Sequence, residues 1–202
     1  MNAGFAISTE PLTLEGTAVR LEPLLPAHAE PLWQAAERDH EEIFRWVPYR
    51  MGSLAEIRSS IERILAEQRG GTSVPFVTVE RNSGRVIGST RFMNMDPPNR
   101  RVEIGSTWIA PPWQRTAINT EAKYLMLRHA FEQWKCVRVE LKTDVLNQKS
   151  RSAILRLGAK EEGTLRQHVV AWTGRLRDSV YFSILDKEWP EIKARLQAKM
   201  GR

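Results

Sequence analysis

The part of the chain that most constrains the fold is residues 102–143, where a strand, a helix and a second strand follow one another. Residues 102–109 have the pattern of a strand, an apolar helical stripe runs from about Asn119 to Trp134, and residues 137–143 alternate cleanly. Strands joined by a crossover of this length run parallel, and such connections are right-handed. The sequence therefore predicts one parallel strand pair.

Antiparallel strands and further helices are predicted on both sides of this unit. Residues 76–80 and 86–93 flank an Asn-Ser-Gly turn and predict a hairpin. Other strands are predicted at 17–22, 165–172 and 179–185, and helices after Pro26, after Ser53, at 147–157 and after Asp186. The predicted fold class is α/β (α+β): a mixed, mostly antiparallel central sheet with flanking helices and one right-handed parallel β-α-β crossover.

Length and composition are those of one ordinary globular domain. The 202 residues, 42% of them hydrophobic and 27% charged, predict a single domain over 1–202, with an N-terminal arm at 1–16 and a C-terminal helix at 186–202. The lone Cys136 excludes an internal disulfide and indicates a reducing compartment. The sequence has no run of 18 apolar residues and no secretory pattern at its start. A cytoplasmic location without membrane contact is therefore predicted.

The charge balance favours an anionic ligand. The net charge of +6 suits a phosphate-bearing cofactor, an acidic substrate or nucleic acid. The basic residues form no block, so nucleic acid is not expected as the principal ligand. Four histidines and one cysteine lack the spacing of metal ligands, so no metal is expected.

The loop between the predicted strand and helix, residues 114–119, is a candidate anion site. In open α/β sheets, ligands lie at the carboxyl ends of strands near a change in strand order. A helix N-terminus there offers unpaired N–H groups and a partial positive charge, and Gln114 and Arg115 add donors. An ordinary strand-to-helix connection, capped by Asn119 or Thr116, explains the same residues equally well.

The element order and several motifs resemble the GCN5-related N-acetyltransferase (GNAT) superfamily, in the branch that includes ribosomal-protein-alanine N-acetyltransferases. The resemblance covers roughly residues 18–189. It is carried by RLEPL (20–24), GRVIGSTRF (84–92), VEIGSTWIAPPWQRTAINTEAKYLML (102–127), RVELKTDVLNQKSRSAILRLGAKEEGTLR (138–166) and VYFSIL (180–185). Gln114, Ala117 and Asn119 stand at the positions of the family signature Q/R-x-x-G-x-G/A. The chain thus departs from the signature at both small-residue positions.

The resemblance implies an enzyme that uses acetyl-CoA as cosubstrate, without a metal. The pantetheine arm would bond to the backbone of Trp108 and Ile109, where two strands separate. The pyrophosphate would lie on the backbone N–H groups of the loop. The implied cradle residues are Gln114, Arg115, Thr116, Ala117, Ile118 and Asn119.

Acetyl transfer to an amine needs a base for the amine and an acid for the departing thiolate. Glu103 is the candidate base, acting through a water; a surface carboxylate paired with Arg91 or Lys142 is the equal alternative. Family resemblance implies Ser150 as the acid and Asn147 as a CoA contact, because the branch carries an N-x-x-S pattern here. A helix N-cap at Asn147 is an equally good explanation.

The acceptor is expected to lie against Trp46 and Tyr49 on one side and Trp172, with His168, on the other. The expected function is transfer of an acetyl group to a primary amine of a small molecule or protein N-terminus, by direct attack in a ternary complex. A catalytically silent GNAT-fold module that binds acyl-CoA or a protein is the alternative, motivated by the two replaced small residues. A homodimer is left open.

Overall fold

The computed structural model describes residues 7–201, whose strands form one eight-stranded sheet in the order β1-β2-β3-β4-β5-β6-β8-β7. The strands are β1 Leu14–Glu15, β2 Val19–Pro23, β3 Val74–Glu80, β4 Val86–Asp96, β5 Arg101–Ile109, β6 Arg138–Asp144, β7 Lys160–Val170 and β8 Leu176–Leu185. The helices are α1 Ala29–Ala36, α2 His40–Phe44, α3 Leu54–Arg69, α4 Ala117–Arg128, α5 Gln148–Leu157 and α6 Trp189–Lys199. Residues 1–6 of the predicted arm and Arg202 of the predicted last helix lie outside the described residues.

The predicted parallel pair is confirmed. β5 and β6 pair in parallel, with Arg101 opposite Arg138 and Glu103 opposite Glu140, and every other neighbouring pair in the sheet is antiparallel. The connection between them carries α4. The predicted fold class is therefore confirmed as well.

Both faces of the sheet are covered, which is why β3 is buried at every position. Successive side chains of a strand point to opposite faces, so Phe76 enters the core under α4 and α6 while Val77 enters the core under α1 and α3. A separate contact fixes α4 to the sheet. The buried carboxylate of Glu121 accepts hydrogen bonds from the backbone N–H groups of Thr17, Ala18 and Val19.

Several local predictions are confirmed. The side chain of Ser53 caps α3 by accepting from the N–H of Glu56, and Gly158 ends α5 in the left-handed region with φ of 101°. Cys136 is buried, and burial raises the pKa of its thiol to about 11. It is therefore a packed residue and a poor nucleophile.

Other boundaries differ from the predictions. α4 begins at Ala117 rather than Asn119, because its N-cap is Thr116. At its other end it continues into a π-helical turn, His129–Gln133. β7 begins at Lys160 rather than Leu165, and most of its side chains are exposed, so it offers no apolar alternation. The short helix α2 was not predicted, because its five residues are too few to show a helical period. Within residues 7–201, no helix is long and apolar enough to cross a membrane.

Candidate functional site

The parallel strands separate after a short stretch of pairing. The pairing of β5 with β6 stops at Glu103 and Glu140, and beyond this point β5 remains paired with β4 alone. Two residues of β5 lie between Gly105 and Trp108, whereas only one residue of β4 lies between their partners Arg91 and Ser89. This extra residue marks a bulge in β5. A bulge bends its strand and increases the local twist, so it directs β5 away from β6 and opens a gap at the carboxyl ends of both strands.

β4 approaches the far end of this bulge very closely at Gly88. Gly88 lies opposite Ile109. A Cβ added at Gly88 would lie 2.2 Å from the carbonyl oxygen of Trp108 and 3.0 Å from the Cα of Ile109. Both contacts are with backbone atoms, so only glycine allows the two strands to come this close.

The loop after β5 places the N-terminus of α4 at the gap. Gln114 holds the loop, because its backbone N–H donates to Pro111 and its side-chain Nε2 donates to the carbonyl oxygen of Ile109 at 2.8 Å. The backbone N–H and one of the two N–H groups of Nε2 are thus used inside the chain, which leaves the second Nε2 N–H for an anion. Thr116 is the N-cap of α4 and accepts from the N–H of Ile118. Asn119 is therefore a first-turn residue and not the cap.

Donors nevertheless remain at this helix end. Among the described residues, none accepts a hydrogen bond from the backbone N–H groups of Arg115, Thr116, Ala117 or Asn119. The exposed side chain of Arg115 forms no ion pair with any residue between 7 and 201. These free N–H groups and this cation fit a phosphate group.

The replaced signature residues cause no backbone conflict. The left-handed φ of this loop, 60°, lies at Arg115, whereas Ala117 and Asn119 are helical residues without a positive φ. A glycine is needed where φ is positive or where another chain segment approaches closely. Neither Ala117 nor Asn119 has a positive φ, so the backbone angles do not require glycine at either position.

Glu103 lies at the point where the strands separate, but it is buried and paired. Its carboxylate accepts from Lys142 Nζ at 3.0 Å and from Asn94 Nδ2 at 2.8 Å, and the residue is 2% exposed. Of the two partners considered from the sequence, Lys142 is the one observed, and Arg91 pairs with Glu67 instead. The alternative of a surface carboxylate is therefore wrong about exposure, since Glu103 is buried, and right about the pairing with Lys142.

Asn147 and Ser150 lie at the start of α5, just beyond the carboxyl end of β6. The side-chain oxygen of Asn147 accepts from the N–H of Ser150 at 3.0 Å, so Asn147 is the N-cap of α5. The Ser150 hydroxyl itself donates to no side chain or carbonyl among the described residues. The chain order therefore brings Ser150 and the loop before α4 to the same end of the separated strands.

The segment that carries Trp46 is joined by hydrogen bonds to the β7–β8 hairpin, whose turn carries Trp172. The N–H of Trp172 donates to the carbonyl oxygen of Pro48, and Arg177 Nη1 donates to that of Trp46. Asp144, fully buried, holds Arg177 and Arg175 in place, and Arg175 lies over the Trp46 ring. Tyr49 instead lines a small cavity together with Ser106 and Trp108.

Sequence reasoning missed a buried lysine behind the bulge. Lys123 of α4 is 5% exposed, and its ammonium group donates to the hydroxyls of Thr107 and Thr90. Burial lowers the pKa of Lys123 to about 7. The available signal was a lysine inside the otherwise apolar run of residues 122–127. No group of histidine, cysteine and acidic residues in the described part of the chain is arranged to hold a metal.

Comparison with known proteins shows the family. Residues 18–160 match the acetyltransferase (GNAT) domain. Over 106 residues the chain is 37% identical to YdaF of Bacillus subtilis (strain 168), described as a candidate ribosomal N-acetyltransferase; the match spans 52% of this chain and 57% of that protein. The chain therefore covers little more than half the length of this relative.

Two solved structures are similar over almost the whole chain. A GCN5-related N-acetyltransferase from Brucella melitensis is 34% identical with a TM-score of 0.85, covering 94% of this chain and 85% of its own. Mycobacterium smegmatis RimJ in complex with CoA-disulfide is 25% identical with a TM-score of 0.78, covering 96% and 94%. The chain belongs to the GNAT acetyltransferase family.

Proposed function

We propose that the chain is an acetyl-CoA-dependent N-acetyltransferase that acetylates a primary amine of a small molecule or protein N-terminus by direct attack in a ternary complex. The observation that carries the proposal is the gap between β5 and β6, directly beside the free N–H groups of α4. The similarity to a relative that was solved with CoA-disulfide supports it.

The loop before α4 is the proposed pyrophosphate site. The N–H groups of Thr116, Ala117 and Asn119 point from a helix N-terminus, and Arg115 adds a charge that is not neutralised by another described side chain. Ile118 contributes its buried side chain, because its N–H is used by the cap. The pantetheine arm is proposed to lie along the open edge of β5 at Trp108 and Ile109.

The proposed reaction breaks the thioester C–S bond and forms an amide. The neutral amine nitrogen attacks the carbonyl carbon, its extra proton leaves through a water to Glu103, and the departing thiolate takes a proton from Ser150. The proton on Glu103 then returns through water and restores the Ser150 hydroxyl. The Glu103 carboxylate is buried and paired with Lys142 at 3.0 Å, so this step requires a water to reach it beside the ion pair. Asn147 fixes the first turn of α5 and thereby the position of Ser150.

The acceptor is proposed to enter between Trp46 and Tyr49, which precede α3, and Trp172 of the β7–β8 turn. Titration calorimetry with acetyl-CoA tests the first step, and thioester cleavage with a panel of amines tests the second. Absence of heat at millimolar acetyl-CoA with folded protein would contradict the proposal. Binding without turnover of any amine would identify a non-catalytic module instead.

The charge of Arg115 is expected to matter for cofactor binding and not for folding. Arg115→Glu should weaken acetyl-CoA binding by about tenfold or more, because a charge-assisted contact with phosphate becomes a repulsion. The matched control is Arg69→Glu at the end of α3, which makes the same charge change at an exposed residue. Calorimetry gives the affinities and thermal unfolding gives the stabilities; equal affinity in both variants would remove Arg115 from the site.

The Ser150 hydroxyl is expected to affect the rate of turnover and not the affinity for acetyl-CoA. Ser150→Ala should lower kcat by about tenfold or more, since general acid catalysis contributes at least that much, while acetyl-CoA affinity stays within about twofold. Ser152→Ala, on the exposed side of the same helix, should leave kcat unchanged. Steady-state kinetics with both variants decide which serine takes part; an unchanged rate for Ser150→Ala would dismiss it as the acid.

A further inference from the structure

A small cavity lies beside the bulge of β5, between the sheet and α3. Ser106 and Trp108 of the bulge form one side, and Tyr49 forms another. Both bulge residues belong to the stretch of β5 that is not paired with β6. The cavity is therefore adjacent to the strand edge on which the thioester is proposed to lie.

One buried cation lines this cavity. Arg91 of β4 is 4% exposed, and it alone is charged among the lining residues, all of which lie in the described part of the chain. Its Nη1 donates to Glu67. Its Nε is buried and has no acceptor among residues 7–201. A buried donor without a partner costs free energy, so this nitrogen is suited to a ligand oxygen or a water.

The charges around Arg91 do not cancel. Glu67 is shared, because its Oε1 accepts from Arg63 at 2.8 Å while its Oε2 accepts from Arg91. Arg63 also lies over the ring of Tyr49, 4.7 Å from its centroid, and donates to Ser60. Two guanidinium groups thus share one carboxylate beside the cavity. The remaining positive charge favours an anionic group and disfavours an ammonium group.

We propose that this cavity binds a carboxylate carried by the amine acceptor, with Arg91 as its ligand. The planar guanidinium presents parallel N–H donors that match a carboxylate, and a small cavity accepts such a compact group. The reactive amine of the same acceptor then lies toward Ser106 and the open edge of β5. This inference rests on the proposed acetyl transfer and narrows its acceptor: amino acids and acidic peptides fit, and polyamines do not.

The first test compares acceptors that differ only in the carboxylate. Phenylalanine, phenylalaninamide and phenethylamine are assayed with acetyl-CoA, and kcat/KM is expressed per unprotonated amine so that different amine pKa values do not enter. A second pair, Asp-Ala-amide and Asn-Ala-amide, separates a side-chain carboxylate of a peptide from the α-carboxylate of a free amino acid. The carboxylate-bearing member of at least one set should be preferred by about ten- to a hundredfold.

The second test removes the guanidinium. Arg91→Met should abolish this preference while acetyl-CoA affinity stays unchanged, and Arg91→Lys should retain part of it. Glu67→Gln is the matched control, because it removes the counter-ion and keeps Arg91, so the preference should persist or increase. If Arg91→Met does not fold, the acceptor panel with the unmodified chain and with Arg91→Lys gives the answer.

A binding measurement separates this inference from the proposed function. N-acetylphenylalanine, the product, should bind the unmodified chain about tenfold more tightly than N-acetylphenylalaninamide, whether or not turnover is detected. Equal binding of the two, or turnover without any preference for a carboxylate, overturns the role of Arg91 and leaves acetyl transfer intact. Failure to bind acetyl-CoA, with the carboxylate preference retained, overturns the proposed function alone.

Discussion

Gly88→Ala is expected to produce the largest loss of stability and to impair cofactor binding at the same time. The added Cβ would lie 2.2 Å from the carbonyl oxygen of Trp108, far inside van der Waals contact. Because the opposing atoms belong to the backbone, no side chain can rotate to relieve the clash, and β4 and β5 must move apart. Overpacking of this kind costs about 1–3 kcal/mol and sometimes more.

The same displacement would move the strand edge at which the gap begins. Trp108 and Ile109 face Gly88 and also border the proposed pantetheine path. We therefore expect Gly88→Ala to lower the melting temperature by roughly 5–10 °C and to weaken acetyl-CoA binding by about tenfold or more. Calorimetry at a temperature where the variant is fully folded separates the two effects.

The glycine at the start of the bulge provides the control. An added Cβ at Gly105 would meet its nearest atoms, in Glu103 and Met93, at 3.4 and 3.5 Å, which are ordinary contact distances. Gly105→Ala should therefore unfold within about 1 kcal/mol of the parent. Gly88→Ala could instead be as stable as Gly105→Ala and bind acetyl-CoA as tightly as the parent. Neither the stability nor the cofactor binding would then depend on the close approach of β4 and β5.

The crossover could be predicted from sequence because each of its parts carries a local pattern. The apolar stripe of α4 and the alternation of β6 are visible in single segments, so the parallel pair followed from them. The bulge that opens the gap could not be predicted. It arises from the register between β4 and β5, and residues 105–108 carry no sign of how the two strands pair.

The surroundings of Glu103 show the same limit. Alternation correctly assigned Glu103 to the face opposite Val102, and Lys142 was among the partners considered. Its carboxylate is 2% exposed and is paired with Lys142 of β6, which lies 39 residues away in the chain. A single-strand pattern contains no information on such a long-range contact.

The loop before α4 could be predicted only in part. Its place at the parallel crossover was predictable, and so was a cap at Thr116 or Asn119. The use of Gln114 to hold the carbonyl of Ile109, and the left-handed φ of Arg115, depend on how the loop turns back after β5. Non-glycine residues at positive φ are uncommon, so neither feature follows from residue type.

Lys123→Met is expected to stabilise the protein at neutral and lower pH. Lys123 is buried without a carboxylate partner in the described part of the chain, and its pKa in the folded protein is about 7, against 10.5 for the ordinary side chain. Below pH 7 the folded protein must bury a charged ammonium group. Methionine has a similar length and no charge, and Thr90 and Thr107 can still bond to each other at 2.7 Å.

The sign of the pH dependence follows from proton linkage. Between pH 7 and 10.5 the unfolded chain binds more protons at Lys123 than the folded chain does, so the stability of the parent rises with pH across this window. The whole rise is on the order of 5 kcal/mol, since each pKa unit corresponds to about 1.4 kcal/mol. The stability difference between Lys123→Met and the parent should therefore be greatest at pH 6 and shrink steadily toward pH 9.

Urea unfolding at pH 6, 7, 8 and 9 measures this difference directly, because other titrating groups contribute to both proteins alike. Lys187→Met, which removes an exposed lysine, controls for the loss of one charge. A difference that stays constant with pH would mean that Lys123 keeps its proton when folded. The hydroxyls of Thr90 and Thr107 would then be solvating an ammonium ion against the bulge, and Thr107 could act only as an acceptor toward it.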